Sequence, residues 1–73
     1  MRQVRKKIEA PRLVVGRAYR LTGTLNGAAI RYYLGQPENV MWHCFARIPG
    51  GPITNRLDDH MVPRRVSEVS DGR

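Results

Sequence analysis

The chain is expected to be mainly β, a small twisted antiparallel sheet of four to five short strands. Three observations predict this. Asn26-Gly27 stands between two apolar-rich runs, and that pair suits the two-residue loop of a hairpin because both positions favour positive φ. Breakers recur at 35–39 (Gly-Gln-Pro-Glu-Asn) and 49–52 (Pro-Gly-Gly-Pro), which leaves room only for short strands. All five aromatic residues, Tyr19, Tyr32, Tyr33, Trp42 and Phe45, lie between positions 19 and 45, where the packed part of the fold should centre.

With Asn26-Gly27 as the turn, Leu25 faces Ala28, and the pairs run outward through Thr24/Ala29, Gly23/Ile30, Thr22/Arg31, Leu21/Tyr32, Arg20/Tyr33 and Tyr19/Leu34. Opposed residues share a face of a sheet. One face then gathers Tyr19, Leu21, Leu25, Ile30, Tyr32 and Leu34 and should be buried, while Arg20, Thr22, Thr24, Arg31 and Tyr33 should lie open. A slip of one residue would exchange the faces. A third strand is expected over Val40–Ile48, with Val40, Trp42, Cys44, Ala46 and Ile48 toward the core and Met41, His43, Phe45 and Arg47 away from it. Ile53–Leu57 reads as a fourth strand with Ile53, Asn55 and Leu57 on one side. Asp58-Asp59-His60 reads as a turn. Met61–Val69 reads as a last strand that Pro63 confines to an edge or a bulge. Residues 1–10 are expected to form a flexible basic arm, 11–69 the domain and 70–73 a tail. At this size and strand spacing the sheet resembles an SH3-like barrel, a likeness of fold that implies no function. The Val-Gln-Ile-Tyr motif of plasmid-type dihydrofolate reductases built on such a barrel is absent.

The 73 residues allow one domain, and a domain this small is marginally stable alone, so a partner or a homo-oligomer would support it. Its one cysteine, Cys44, makes neither an internal disulfide nor a zinc site of the usual spacing, which suits a reducing, cytoplasmic setting. No apolar run reaches membrane-spanning length, and no membrane partner is expected. The formal net charge is +7. Residues 1–20 carry seven Arg/Lys against Glu9, a net +6; residues 21–57 carry +2; residues 58–73 carry −1. Such a field draws polyanions.

Two groups of residues fit nucleic acid, either DNA or RNA. Arg2, Arg5, Lys6, Lys7 and Arg12 would follow a phosphate backbone. Arg20, Arg31, Tyr33, His43, Phe45 and Arg47 would share the open sheet face, where arginine meets phosphate and aromatic rings stack on bases. No catalytic group is expected. His43 and Cys44 point to opposite faces of a strand, so they cannot easily share a metal, and three consecutive residues such as Asp58-Asp59-His60 rarely converge on one. No cofactor motif is present: Gly50-Gly51 lacks the rest of a phosphate loop. The second reading is a phage- or plasmid-type accessory protein that regulates or inhibits a protein partner. It would use an acidic partner surface, a free sheet edge and exposed apolar residues such as Met41, Phe45 and Met61.

Overall fold

A computed structural model describes residues 12–25 and 27–69. Five strands, β1 (Ala18–Thr24), β2 (Gly27–Gly35), β3 (His43–Ala46), β4 (Ile53–Leu57) and β5 (Val66–Glu68), form one antiparallel sheet in the order β4-β3-β2-β1-β5. One helical turn, α1 (Val62–Arg65), precedes β5. The expectation of a mainly β fold built on a small sheet therefore holds.

The hairpin register does not. Thr24 pairs with Gly27, which moves the turn one residue toward the N-terminus, and Leu21 pairs with Ala29. Between these pairs β1 spends two residues, Thr22 and Gly23, against Ala28 alone. This β-bulge places Gly23 at φ +77°, a conformation glycine adopts without a Cβ penalty. The one extra residue changes which faces meet. Tyr19 now opposes Arg31 rather than Leu34, and Arg20 opposes Ile30 rather than Tyr33. The sorting predicted for the first strand survives at Tyr19 and Leu21, which are buried, but not at Leu25, which falls past the end of β1 in the shifted turn and is fully exposed, and the sorting of β2 inverts. Tyr33 is buried, Ile30 is exposed, and Tyr32 and Leu34 are half-buried.

A second bulge at Leu34-Gly35 and a third at Thr54 shift the β2–β3 and β3–β4 registers. Bulges bend a strand and increase its twist, so three of them in five strands curl the sheet around its inner face. The third bulge also separates Ile53, opposite Ala46, from Asn55, opposite Phe45, so these two do not share a side as expected. The third strand is shorter than the predicted Val40–Ile48 span. It is buried on both faces, so alternation along it carried no information about inside and outside. Val40, Trp42 and Ile48, expected in the core, are exposed, while His43 and Phe45, expected in solvent, are buried.

The core consists of Tyr19 and Leu21 from β1, Tyr33 from β2, Phe45 from β3, Val62 from α1 and Val66 from β5, with Leu13 and Leu57 packed against it. The predicted final strand begins instead as the turn of α1. The Asp58 carboxylate accepts the Met61 N–H, its carbonyl receives the N–H groups of Met61 and Val62, and Pro63 occupies the first helical turn, where its fixed φ fits and no N–H is missed. Val62 enters the core from this turn, and β5 then pairs with β1 at the edge of the sheet. Among the described residues no helix is long and apolar enough to cross a membrane.

Candidate nucleic-acid interface

The expected open face of mixed arginines and aromatics does not form. Tyr33, His43 and Phe45 come together, but inside the molecule. The Tyr33 ring lies 5.3 Å from Phe45 and 5.8 Å from His43, tilted against both. These rings serve as core and cannot stack on bases. The reason is the β1 bulge: by turning Tyr33 inward it also turns inward Phe45, its partner across β3. Phe45 is therefore not a partner-binding residue, and Met61, grouped with it for protein contact, is half-buried. Met41 is exposed.

Inside the core, polar chemistry forms a chain. The Tyr33 hydroxyl stands 2.7 Å from His43 Nδ1, and His43 Nε2 stands 2.5 Å from Asp59 Oδ1. An ionised carboxylate only accepts, so Nε2–H donates to Asp59 and, in the neutral ring, Nδ1 accepts from the Tyr33 hydroxyl. His43 is buried, whereas the Asp59 side chain is 73% exposed, so the chain runs from β2 through β3 to the turn before α1 and ends in water. Among the described residues every buried side-chain nitrogen and oxygen has a hydrogen-bond partner. Burial pushes the Tyr33 hydroxyl above its ordinary value of 10.0, and the Cys44 thiol, Asp59 and Tyr19 push it the same way. Because the folded value is the higher one, this contribution to stability is complete below pH 10 and is lost as the pH rises through the folded value. Tyr33→Phe leaves His43 Nδ1 buried without a donor and is expected to cost about 1–3 kcal/mol in a urea melt. In a His43→Leu background the same change should cost much less, because the bond is already gone. The alkaline loss of stability should also be shallower in Tyr33→Phe.

The arginines take different positions. Arg20 is exposed on the outer face of β1, between Ile30 of β2 and Ser67 of β5. It borders a shallow depression floored by Ala28, Ala29 and Ile30. Arg31, one step along β2, is half-buried; its Nε donates to Asn55 Oδ1 at 3.2 Å and its Nη1 to the Ile30 carbonyl at 2.8 Å. Arg47 is exposed and follows Ala46, the partner of Tyr32, which puts it in line with Arg31. Arg20, Arg31 and Arg47 thus lie in neighbouring rows of the sheet, without sharing one face. Arg12 is exposed beside Leu13. Arg2, Arg5, Lys6 and Lys7 lie outside the described residues.

Sequence reasoning missed three cations near this cluster. Arg17 is exposed next to β1. Arg64 and Arg65 end α1, and Arg65 Nη1 donates to the Gly23 carbonyl at 3.3 Å beside the hairpin. The available signal was the Asp58 to Pro63 spacing, which suits a helical start with basic residues in its last turn. Among the described arginines only Arg56 pairs with a carboxylate, through a two-pronged contact to Glu38 at 2.6 and 2.9 Å. That contact holds the Glu38 carboxyl below its usual range.

No family model, curated protein or solved structure matches this chain.

Proposed function

We propose that the protein is a small basic module that binds nucleic acid, mainly through phosphate contacts. One observation carries the reading: seven of the eight arginines in the described segment have no carboxylate partner within it, and Arg20, Arg31 and Arg47 stand in adjacent rows. Arginine forks match phosphate oxygens, and unneutralised guanidinium groups are available for them. The burial of Tyr33 and Phe45 supports a backbone-dominated mode with little base reading and a small difference between single strands and duplex. The strand order, with a helical turn before the last strand, supports the SH3-like barrel as the architecture behind this reading. A lone cysteine, Cys44, with no second cysteine for an internal disulfide, suits a reducing compartment such as the cytoplasm.

Fluorescence anisotropy with labelled single-stranded and duplex oligonucleotides over a salt series tests this. Binding should weaken steeply with salt, and Arg20→Ala and Arg47→Ala should each reduce the log–log slope by about one. Arg31→Ala should do the same but needs a melt beside it, because it also breaks the bond to Asn55. Polyglutamate serves as competitor. If it displaces the oligonucleotide at equal charge concentration, the cluster reads acidic charge in general and an acidic protein surface becomes the better partner. No binding at low salt would sink the nucleic-acid reading.

A further inference from the structure

The inverted register of β2 exchanges its two central tyrosines. Tyr33 faces the core, and successive strand residues point to opposite sides, so Tyr32 stands on the outer face. Its cross-strand neighbours are Ala18 of β1 and Ala46 of β3. Two methyl groups are low flanks for a phenol ring, and Tyr32 stays half-buried. Ile30, two residues along the same face, is 45% exposed and opposes Arg20. Arg20 is thus diagonal to Tyr32, about 7–8 Å away between backbones, a gap that a long side chain spans. Beyond Ile30 the face stays low, over the depression floored by Ala28 and Ala29.

The charges on this face suit a polyanion. β1 and β2 contain no acidic residue. On β5, Ser67 opposes Arg20, whereas Glu68 opposes Tyr19 and so belongs to the other side. Arg65 brings a second guanidinium to the hairpin, where it gives one of its five N–H groups to the Gly23 carbonyl. A ring beside a guanidinium on an open sheet meets both parts of an unpaired nucleotide, since the ring stacks on the base and the guanidinium pairs with the phosphate. A duplex keeps its bases inside its own stack and offers this face phosphate alone.

We propose that Tyr32 is a stacking platform for an unpaired base of a single strand, with Ile30 extending its apolar surface and Arg20 holding the adjacent phosphate. This rests on the nucleic-acid reading above and adds one base contact to a mode otherwise carried by phosphates. The ring is the neighbour of the one that the sequence pattern placed outside, so the bulge at Gly23 moves the stacking residue by one position along β2.

Anisotropy with the full chain at low salt tests this by comparing a labelled oligothymidylate with an abasic sugar–phosphate strand of the same length and charge. The base-bearing strand should bind about tenfold tighter. That margin is small beside the loss of about a thousandfold that added salt imposes on several phosphate contacts, and the salt slope should be the same for both strands because stacking is uncharged. Tyr32→Leu should bring the base-bearing strand down to the abasic one with the slope unchanged, and Tyr32→Phe, which keeps the ring, should behave as wild type. Circular dichroism melts establish that the variants fold, and the wild-type comparison of the two strands is decisive without them. Equal affinity for the two strands overturns the proposal and leaves the phosphate reading standing. A base preference that folded Tyr32→Leu retains also overturns it, because the stacking ring then lies elsewhere. If polyglutamate binds as tightly as oligothymidylate at equal charge, the face reads charge alone, as an acidic protein surface would supply, and the proposal fails. Absence of binding by either strand removes the nucleic-acid reading and this proposal together.

Discussion

Phe45→Ala is expected to remove a large share of the domain's stability. The side chain is fully buried, stands opposite Tyr33 and Asn55, and touches the Tyr33 ring in the middle of the core. Truncating a buried phenylalanine costs about 3–5 kcal/mol, because transfer energy is lost and a cavity remains. A chain of 73 residues has on the order of 4–11 kcal/mol in total, so this one change consumes a large share of it. Urea denaturation followed by circular dichroism should show the midpoint lowered by the equivalent of about 3–5 kcal/mol. Arg47→Ala, exposed two residues away, should stay within about 0.5 kcal/mol of wild type. The contrast separates two roles that the sequence pattern placed on one face. A wild-type melt for Phe45→Ala would show that the ring lies on the surface.

Much of the fold was legible because turn chemistry and hydrophobic alternation agreed. Tyr19 and Leu21 were correctly assigned to the core, and the Ile53–Leu57 strand was found between its flanking breakers. The errors share a cause. Alternation assigns faces only relative to a register, and the register depended on whether Gly23 was an ordinary strand residue or the second residue of a bulge. Nothing in the run Arg20-Leu21-Thr22-Gly23-Thr24 distinguishes these cases, because glycine fits either, and the contacts that meet the bulge come from α1, more than forty residues later. Thr22 Oγ1 reaches the Arg65 carbonyl at 3.5 Å, and Arg65 reaches back to Gly23. The candidate site inherited the error: once β2 turned over, Tyr33 and Phe45 went inward together and the stacking surface was lost. The basic character was independent of register and survives, with Arg64 and Arg65 added to it. The Tyr33–His43–Asp59 chain was illegible for another reason. It joins three elements, and sequence spacing carries no sign that residues 33, 43 and 59 meet.

Gly23 therefore offers the sharpest test of how the sheet is specified. Gly23→Ala is expected to destabilise the domain by about 1–3 kcal/mol, the usual cost of holding a residue with a Cβ at positive φ. Crowding adds to this. The new Cβ would fall 2.2 Å from Arg65 Nη1, and the guanidinium would have to move, giving up its bond to the Gly23 carbonyl. That part is cheap, because the obstacle is the end of a flexible side chain at an exposed site. Deleting Gly23 should be worse than any substitution there. Without the extra residue, the pairs beyond Thr24 and Gly27 either slip and carry Tyr19 and Leu21 to the outer face, or keep the core and break the hairpin. The slip loses the packing of Leu21 against Val66, and with it the β1–β5 edge, whereas the other route loses the hairpin turn. Urea melts of the alanine variant and the deletion, with Leu21–Val66 nuclear Overhauser contacts as the local probe, separate the two effects. The alanine variant should keep those contacts at a lowered midpoint, and the deletion should either lose them by slipping or keep them at a midpoint lower still. Equal melts for wild type and deletion would mean that the bulge does not set the register and that the inward turn of Tyr33 has another cause.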